Sequence, residues 1–317
     1  MQSLPLSWAL RPSKKYSNEH SEYIFRNMVW VPFRTLETRA HFYNFIAMQS
    51  YDNLIIRGCN KYHAKELTKC GFASAKIGME AILETKQNHF KKKSLIALVK
   101  RGLRNGYVKQ FPYSLETLKM FNNLKLSSVH SHKPQLQNLF QTNFTPNNLL
   151  YAFVSNQNEW LGAILLSVNS NVKLHTELIL RKSNAPSGVI EAIIKQIFDD
   201  AKTKNIKELS LGEVPFVLKD NNKTDNFKIF LAVKLGSLFK FAYNYKGLYN
   251  FKNKFNPRWE FVYLSVKPKL KIKHLVFLFL QSNLHNLILY QTKEIIKNKL
   301  KTILNKTFFL FRLLDFN

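Results

Sequence analysis

Leu174-His175-Thr176-Glu177-Leu178-Ile179-Leu180-Arg181, then Ala185-Pro186-Ser187-Gly188, a long apolar-periodic run to about Lys204, and Leu209-Ser210-Leu211-Gly212 together decide the fold class. The first stretch alternates, with Thr176, Leu178 and Leu180 opposed to His175, Glu177 and Ile179, which is the period of a strand. Pro186 and Ser187 open a helix, since proline is at home in a first helical turn. Leu209 to Gly212 is the next strand. Upstream, Leu150 to Val154 and Trp160 to Val168 flank Ser155-Asn156-Gln157-Asn158 and read as a hairpin. Downstream, Phe227 to Phe241 predicts a helix and Phe261 to Val266 a closing strand.

The region before this block alternates in the same way. Leu54 to Ile56 is a short strand, Tyr62 to Lys69 a helix stopped by Gly71, and Ala75 to Leu83 a second strand. Lys91 to Asn105 predicts a basic helix, with Leu95, Leu98 and Val99 on one face, Leu103 extending it, and Lys91, Lys92, Lys93, Lys100, Arg101 and Arg104 around them. Hairpin, strand, long helix, strand, helix, strand resembles an acetyltransferase-like α+β fold. The expectation is therefore two tandem acetyltransferase-like (GNAT-like) units, at 1–134 and 135–268. A basic, amphipathic helical tail follows over 269–317, where Leu300, Ile303, Leu304, Phe308 and Leu310 alternate with Lys297, Lys299, Lys301 and Lys306. Such a helix suits an anionic membrane interface, or else packs on a core.

Composition narrows the partners. Forty-eight Lys and Arg against 20 Asp and Glu give a net charge of +28, which attracts polyanions: nucleic acid or an anionic bilayer face. Part of that excess is a general Lys and Asn enrichment. Two cysteines make no disulfide framework and point to a reducing compartment. Cys59, His63 and Cys70 lack a fourth ligand at regular spacing, so no metal is expected. Met1 to Leu10 has no secretory character, and the most apolar run, His274 to Tyr290, is broken by Gln281, Ser282, Asn283, His285 and Asn286. The expected location is cytoplasmic and membrane-associated.

Three stretches together carry a more specific signal. The first is Lys76-Ile77-Gly78-Met79-Glu80-Ala81 with the basic helix up to Arg104-Asn105-Gly106-Tyr107. The second runs from Glu177 through Arg181, Ala185-Pro186-Ser187-Gly188 and the long helix to Ser210-Leu211-Gly212. The third is Tyr245-Lys246-Gly247-Leu248, Phe251-Lys252-Asn253-Lys254-Phe255, Pro257-Arg258-Trp259-Glu260 and Tyr263-Leu264. In this order, over about residues 50–266, the chain resembles the C-terminal catalytic domain of bacterial phosphatidylglycerol lysyltransferases (DUF2156). It differs where the family usually reads a small residue or Met and then Ala after Ser-Leu-Gly; here Glu213 and Val214 stand. It also lacks an Arg in Trp259-Glu260-Phe261-Val262-Tyr263. The resemblance implies transfer of an aminoacyl group, lysyl or similar, from aminoacyl-tRNA to phosphatidylglycerol or a related anionic lipid at the inner face of the cell membrane. Longer members carry a preceding membrane domain that flips the product; this chain is expected to be a stand-alone catalytic part.

The chemistry sets its own demands. An aminoacyl ester is already activated, so transfer to a hydroxyl needs orientation, a proton route and a stabilised oxyanion, with no metal or organic cofactor. Phosphates call for Lys and Arg, and an ammonium calls for a carboxylate. Lys246, Lys252, Lys254 and Arg258, interleaved with Tyr249, Phe251, Phe255 and Trp259, are candidates for holding phosphate and stacking bases, or else a basic turn over an aromatic core. Ser187 and Gly188 begin a helix whose free N–H groups suit an anion, with Arg181 nearby in sequence, or they are only a helix start. Glu177, Glu213 and Ser210 are the candidate catalytic residues: one carboxylate for the ammonium, the other for the hydroxyl proton. Glu177 could instead pair with Arg181, and Glu80 reads as a structural acceptor. The coenzyme A loop of acetyltransferases is absent, which argues against acetyl-CoA as donor. The rival readings are a peptide or cell-wall precursor as acceptor, and a non-catalytic membrane- or RNA-binding module.

Overall fold

The computed structural model describes residues 3–10, 20–38, 40–48, 52–218 and 241–314. The elements run β1 (Ala9–Leu10), β2 (His20–Phe25), β3 (Met28–Leu36), α1 (Ala40–Met48), β4 (Asn53–Cys59), α2 (Lys61–Lys69), β5 (Ala73–Glu84), α3 (Lys93–Leu103), β6 (Gly106–Phe111) and α4 (Leu115–Leu126). They continue with β7 (Asn148–Ser155), β8 (Trp160–Ser170), β9 (Lys173–Arg181), α5 (Val189–Thr203), β10 (Glu208–Pro215), α6 (Tyr245–Asn253), β11 (Arg258–Val266), α7 (Ile272–Gln281) and α8 (Leu284–Leu314). The order of hairpin β7–β8, strand β9, helix α5 and strands β10 and β11 is the acetyltransferase-like order expected from the sequence.

Among the described residues, the eleven strands form one sheet, in the order β1-β3-β4-β11-β5-β10-β9-β8-β7-β6, with β2 on β3. The chain's last strand, β11, runs antiparallel between β4 and β5. Strands from either side of residue 134 therefore share hydrogen bonds, and the two halves are sealed by β11 and β5. Between β9 and β10 the pairing is parallel and short, only Glu208–Ser210 against Lys173–His175. Beyond Ser210 a bulge shifts the register of β10 against β5, and β10 leaves β9. This divergence at the centre of the sheet is where buried charged side chains collect.

Helix α5 buries Val189, Ile190, Ile193, Ile194, Ile197 and Phe198 against Leu209, Leu211 and Ile164 of the sheet, and α3 adds Leu95 and Val99. Each such side chain contributes roughly 1.5–3 kcal/mol by leaving water. A second core around Trp8, Phe42, Phe45, Leu54 and Ile56 serves the first half. The helix begins at Val189, two residues later than Pro186-Ser187 suggests, because Gly188 takes φ +98°, outside the helical range. A side chain there would also strike α3: a Cβ on Gly188 would lie 1.9 Å from the Leu98 carbonyl oxygen. Gly188→Ala is expected to destabilise the fold by about 3 kcal/mol, read as a lower urea midpoint, since neither the left-handed backbone nor the α3–α5 contact admits a Cβ.

Elements β1, β2, β3, α1, β6, α4 and α6 had no counterpart in the sequence reading; α4 is marked only by a Ser114–Thr117 capping box. The helix expected over 227–241 lies, but for its last residue, outside the described residues. Among the described residues no helix is long and apolar enough to cross a membrane. The tail is helical, and α8 exposes Leu289, Ile296 and Leu300 beside exposed Lys293, Lys297 and Lys301.

Candidate active site

The bulge of β10 turns on Gly212, whose φ of +84° a residue with a Cβ would resist. It aims Glu213 into the sheet centre, where the Arg57 guanidinium of β4 donates to Glu213 Oε2 at 2.6 Å. Lys252, on the last turn of α6, reaches the same point and donates from Nζ to the Glu213 carbonyl oxygen at 2.9 Å. Both side chains are buried. Burial pushes the Glu213 carboxyl above the usual carboxylate range despite Arg57 and Lys252. Burial likewise pulls the Lys252 amine down to about 7 despite Glu213 and Glu80. Acid and amine are thereby drawn together in proton affinity. Among the described residues, Glu213 Oε1 has no hydrogen-bond partner. Tyr243 borders the pair, its phenol pushed up to about 12 by burial and by the Glu213 charge.

A second buried group lies beside it. Glu80 of β5 sits opposite Glu213 in register, and Lys173 Nζ lies 2.8 Å from Glu80 Oε1 and 2.9 Å from Oε2. Ser210 Oγ accepts from the Gly212 N–H at 3.0 Å, lies 3.0 Å from His175 Nδ1 and hydrogen-bonds Glu80. Burial raises the Glu80 carboxyl, but Lys173, His175 and Ser210 outweigh it and hold the group below its ordinary value. Burial keeps His175 below the usual imidazole range despite the Glu177 and Glu80 carboxylates. Arg57, Lys173 and Lys252 therefore stand beside two carboxylates, Glu80 and Glu213.

Of the sequence candidates, Ser210, Glu213 and Lys252 are brought together here. Glu177 is not part of this hydrogen-bonded set. Its Oε2 accepts from Ser7 Oγ and the Gln141 N–H, both at 2.8 Å, and its Oε1 accepts from Ser167 Oγ. Those donors, rather than Arg181, occupy the carboxylate, and it fastens the segment around Ser7 onto the sheet. Arg258 pairs with Glu84 at 2.9 Å, Glu208 at 2.7 Å and Glu260. Lys254 pairs with Glu191 and covers the Phe251 ring. Trp259 stacks on Tyr249 at 4.7 Å. Lys246, Arg181 and Ser187 are exposed, while Gly188 is buried against α3.

Arg57, Lys173, His175 and Tyr243 were not singled out in the sequence. The readable signal for two of them was Lys173, His175 and Glu177 at i, i+2 and i+4, which puts three polar groups on one face of β9. Among the described residues no three His, Cys, Asp or Glu side chains are grouped to hold a metal.

The family model described as "Phosphatidylglycerol lysyltransferase, C-terminal" matches residues 37–266, well over half of the chain. The chain belongs to this family. The family match spans Arg57, Glu80, Lys173, His175, Ser210, Glu213 and Lys252, and stops before α7. The chain is 24% identical to the phosphatidylglycerol lysyltransferase of Bacillus subtilis over 106 residues, which are 33% of this chain and 12% of that protein. The chain thus spans a small part of this relative's length. Two solved structures share the fold. L-PGS from Bacillus licheniformis aligns with a TM-score of 0.63 at 17% identity, over 83% of this chain and 84% of that one. The C-terminal domain (DUF2156) of a putative lysylphosphatidylglycerol synthetase from Agrobacterium fabrum gives 0.62 at 16%, over 82% and 83%.

Proposed function

We propose that the chain transfers an aminoacyl group, lysyl or similar, from aminoacyl-tRNA to phosphatidylglycerol or a related anionic lipid at the inner face of the cell membrane. The observation that carries this reading is the buried Glu213–Lys252 pair at the β10 bulge, set among Arg57 and Lys173, in a chain of this family. The free Oε1 of Glu213 receives the ammonium of the aminoacyl group. Lys252, neutral above about pH 7, takes the proton from the lipid hydroxyl as its oxygen attacks the ester carbonyl carbon. The terminal ribose hydroxyl of the tRNA leaves and carries a proton away, so the step balances without a cofactor. Ser210 and Glu80 hold the neighbouring Lys173 and His175 in place.

The remaining residues have supporting roles in this proposal. Exposed Lys93, Lys100 and Arg101 on α3 and Arg104 just beyond its end meet tRNA phosphates, with exposed Arg181, Ser187 and Lys246 as further polar contacts. Gly188 shapes the α5 start. Lys254, Arg258 and Trp259 fix α6 and β11 around the site, and Glu177 does the same for the segment around Ser7. The basic, apolar face of α8 lies on anionic lipid.

The test incubates the purified chain with total tRNA, synthetases, labelled amino acids and phosphatidylglycerol vesicles, then examines extracted lipid by mass spectrometry. An aminoacylated lipid that disappears with RNase, and falls about a hundredfold or more in Glu213→Gln, is the expected result. Vesicle or RNA binding with no transfer would reduce the chain to a binding module.

A further inference from the structure

The turn between β2 and β3 and the outer face of α7 form one surface that nothing in the site explains. Ile24 and Phe25 end β2 63% and 50% exposed, next to Arg26 at φ +54°. On α7, Ile272, Val276 and Leu280 recur every four residues, and each is about half exposed. The same helix buries His274, and Phe277 lies buried beside the exposed stripe. The two elements are tied together, because the Phe25 ring stacks on the Phe277 ring at 6.2 Å and 24°. Around the apolar residues stand Arg26, Lys269, Lys271 and Lys273, all exposed, and residues 24–28 and 269–281 contain no Asp or Glu.

Five large apolar side chains held outward by a two-residue turn and a helix would be a solubility defect on a surface that met only water. Their cationic rim decides the occupant. A second copy of this chain, itself at +28, would bring like charge against it, whereas an anionic bilayer supplies both hydrocarbon for Ile24, Phe25, Ile272, Val276 and Leu280 and negative headgroups for the rim. We infer that the β2–β3 turn and the outer face of α7 are a membrane-docking surface that seats on anionic phospholipid, separately from α8. The inference deepens the functional proposal by saying which way the body of the protein faces its lipid.

The experiment compares the full chain with Ile24→Ser/Val276→Ser/Leu280→Ser and with Lys269→Gln/Lys271→Gln/Lys273→Gln. Co-sedimentation uses vesicles of phosphatidylglycerol with phosphatidylcholine, and of phosphatidylcholine alone. Each triple variant is expected to lose about tenfold or more of its binding to the mixed vesicles, with circular dichroism and melting unchanged. Transfer to vesicle lipid falls in parallel, while transfer to a short-chain, monomeric phosphatidylglycerol stays at the starting level. Equal vesicle binding by folded variants overturns the inference, as does wild-type self-association that the variants abolish with no change in lipid binding. If the wild-type chain aminoacylates no lipid at all, the functional proposal fails while the sedimentation still decides the docking surface.

Discussion

Lys252→Met lowers lipid aminoacylation by about 10²–10⁴-fold, the usual loss on removing a positioned general base. The methionine keeps the stem's bulk in the sheet centre but removes the amine that reaches the Glu213 carbonyl oxygen at 2.9 Å. In the wild-type chain the rate rises with pH through about 7, where burial places the Lys252 amine, and levels off once the amine is neutral. Lys252→Arg loses that rise, because a guanidinium does not give up its proton in this range. Stability moves the other way. An amine whose folded value lies below that of an unfolded lysine weakens the fold fully below about 7, and the deficit fades as pH climbs towards the unfolded value. Lys252→Met is therefore more stable than the wild type at neutral pH, and the gain shrinks in alkali. Urea titrations at several pH values with matched turnover assays measure both. A variant with near-normal turnover and an unchanged pH profile would exclude Lys252 as the base.

Glu80→Ala is expected to cost about 3–5 kcal/mol of folding stability, the range for removing one partner of a buried ion pair. Glu80 and Lys173 are both nearly inaccessible, at 4% and 3% of their side-chain surfaces, and 2.8 Å apart. Deleting the carboxylate leaves an ammonium at the centre of the sheet without its counter-ion. The double variant Glu80→Met/Lys173→Met recovers most of the loss, since an apolar pair of similar volume removes both desolvation penalties. In the wild type, Lys173, His175 and Ser210 hold the Glu80 carboxyl below its ordinary value against the effect of burial. The stability it contributes is present above the usual carboxylate range and is lost as pH falls through the folded value. Equilibrium unfolding of the wild type, Glu80→Met, Lys173→Met and the double Met variant gives the coupling. A loss under about 1 kcal/mol in Glu80→Ala would show that water or neighbouring groups already neutralise Lys173.

The sequence by itself determined the elements whose periodicity is strong and local. The β7–β8 hairpin, the alternation in β9, the long apolar stripe of α5 and the strand–helix–strand of β4, α2 and β5 follow from side chains a few residues apart, so the α+β class and its acetyltransferase-like order were legible. Ser210, Glu213 and Lys252, which the fold brings together, were named as candidates from motifs in the chain, Lys252 for holding phosphate. Tertiary structure alone decided what those residues meet. Arg57 and Glu213 are 156 positions apart, and Lys173 and Glu80 are 93 apart. No local pattern encodes that β11 lies between β4 and β5, or that β10 lies between β5 and β9 with Glu80 and Lys173 meeting from either side of it. The alternation of β9 reveals a polar face but not what covers that face. The face is buried because the segment around Ser7 lies across it, fastened by Glu177 and by Asn169, which accepts from the Leu4 N–H and donates to the Pro5 and Trp8 carbonyls. The same burial sets the proton affinities: a lysine is an ordinary cation on any strand or helix, and Lys252 becomes a neutral amine near pH 7 only where the assembled sheet strips away its water.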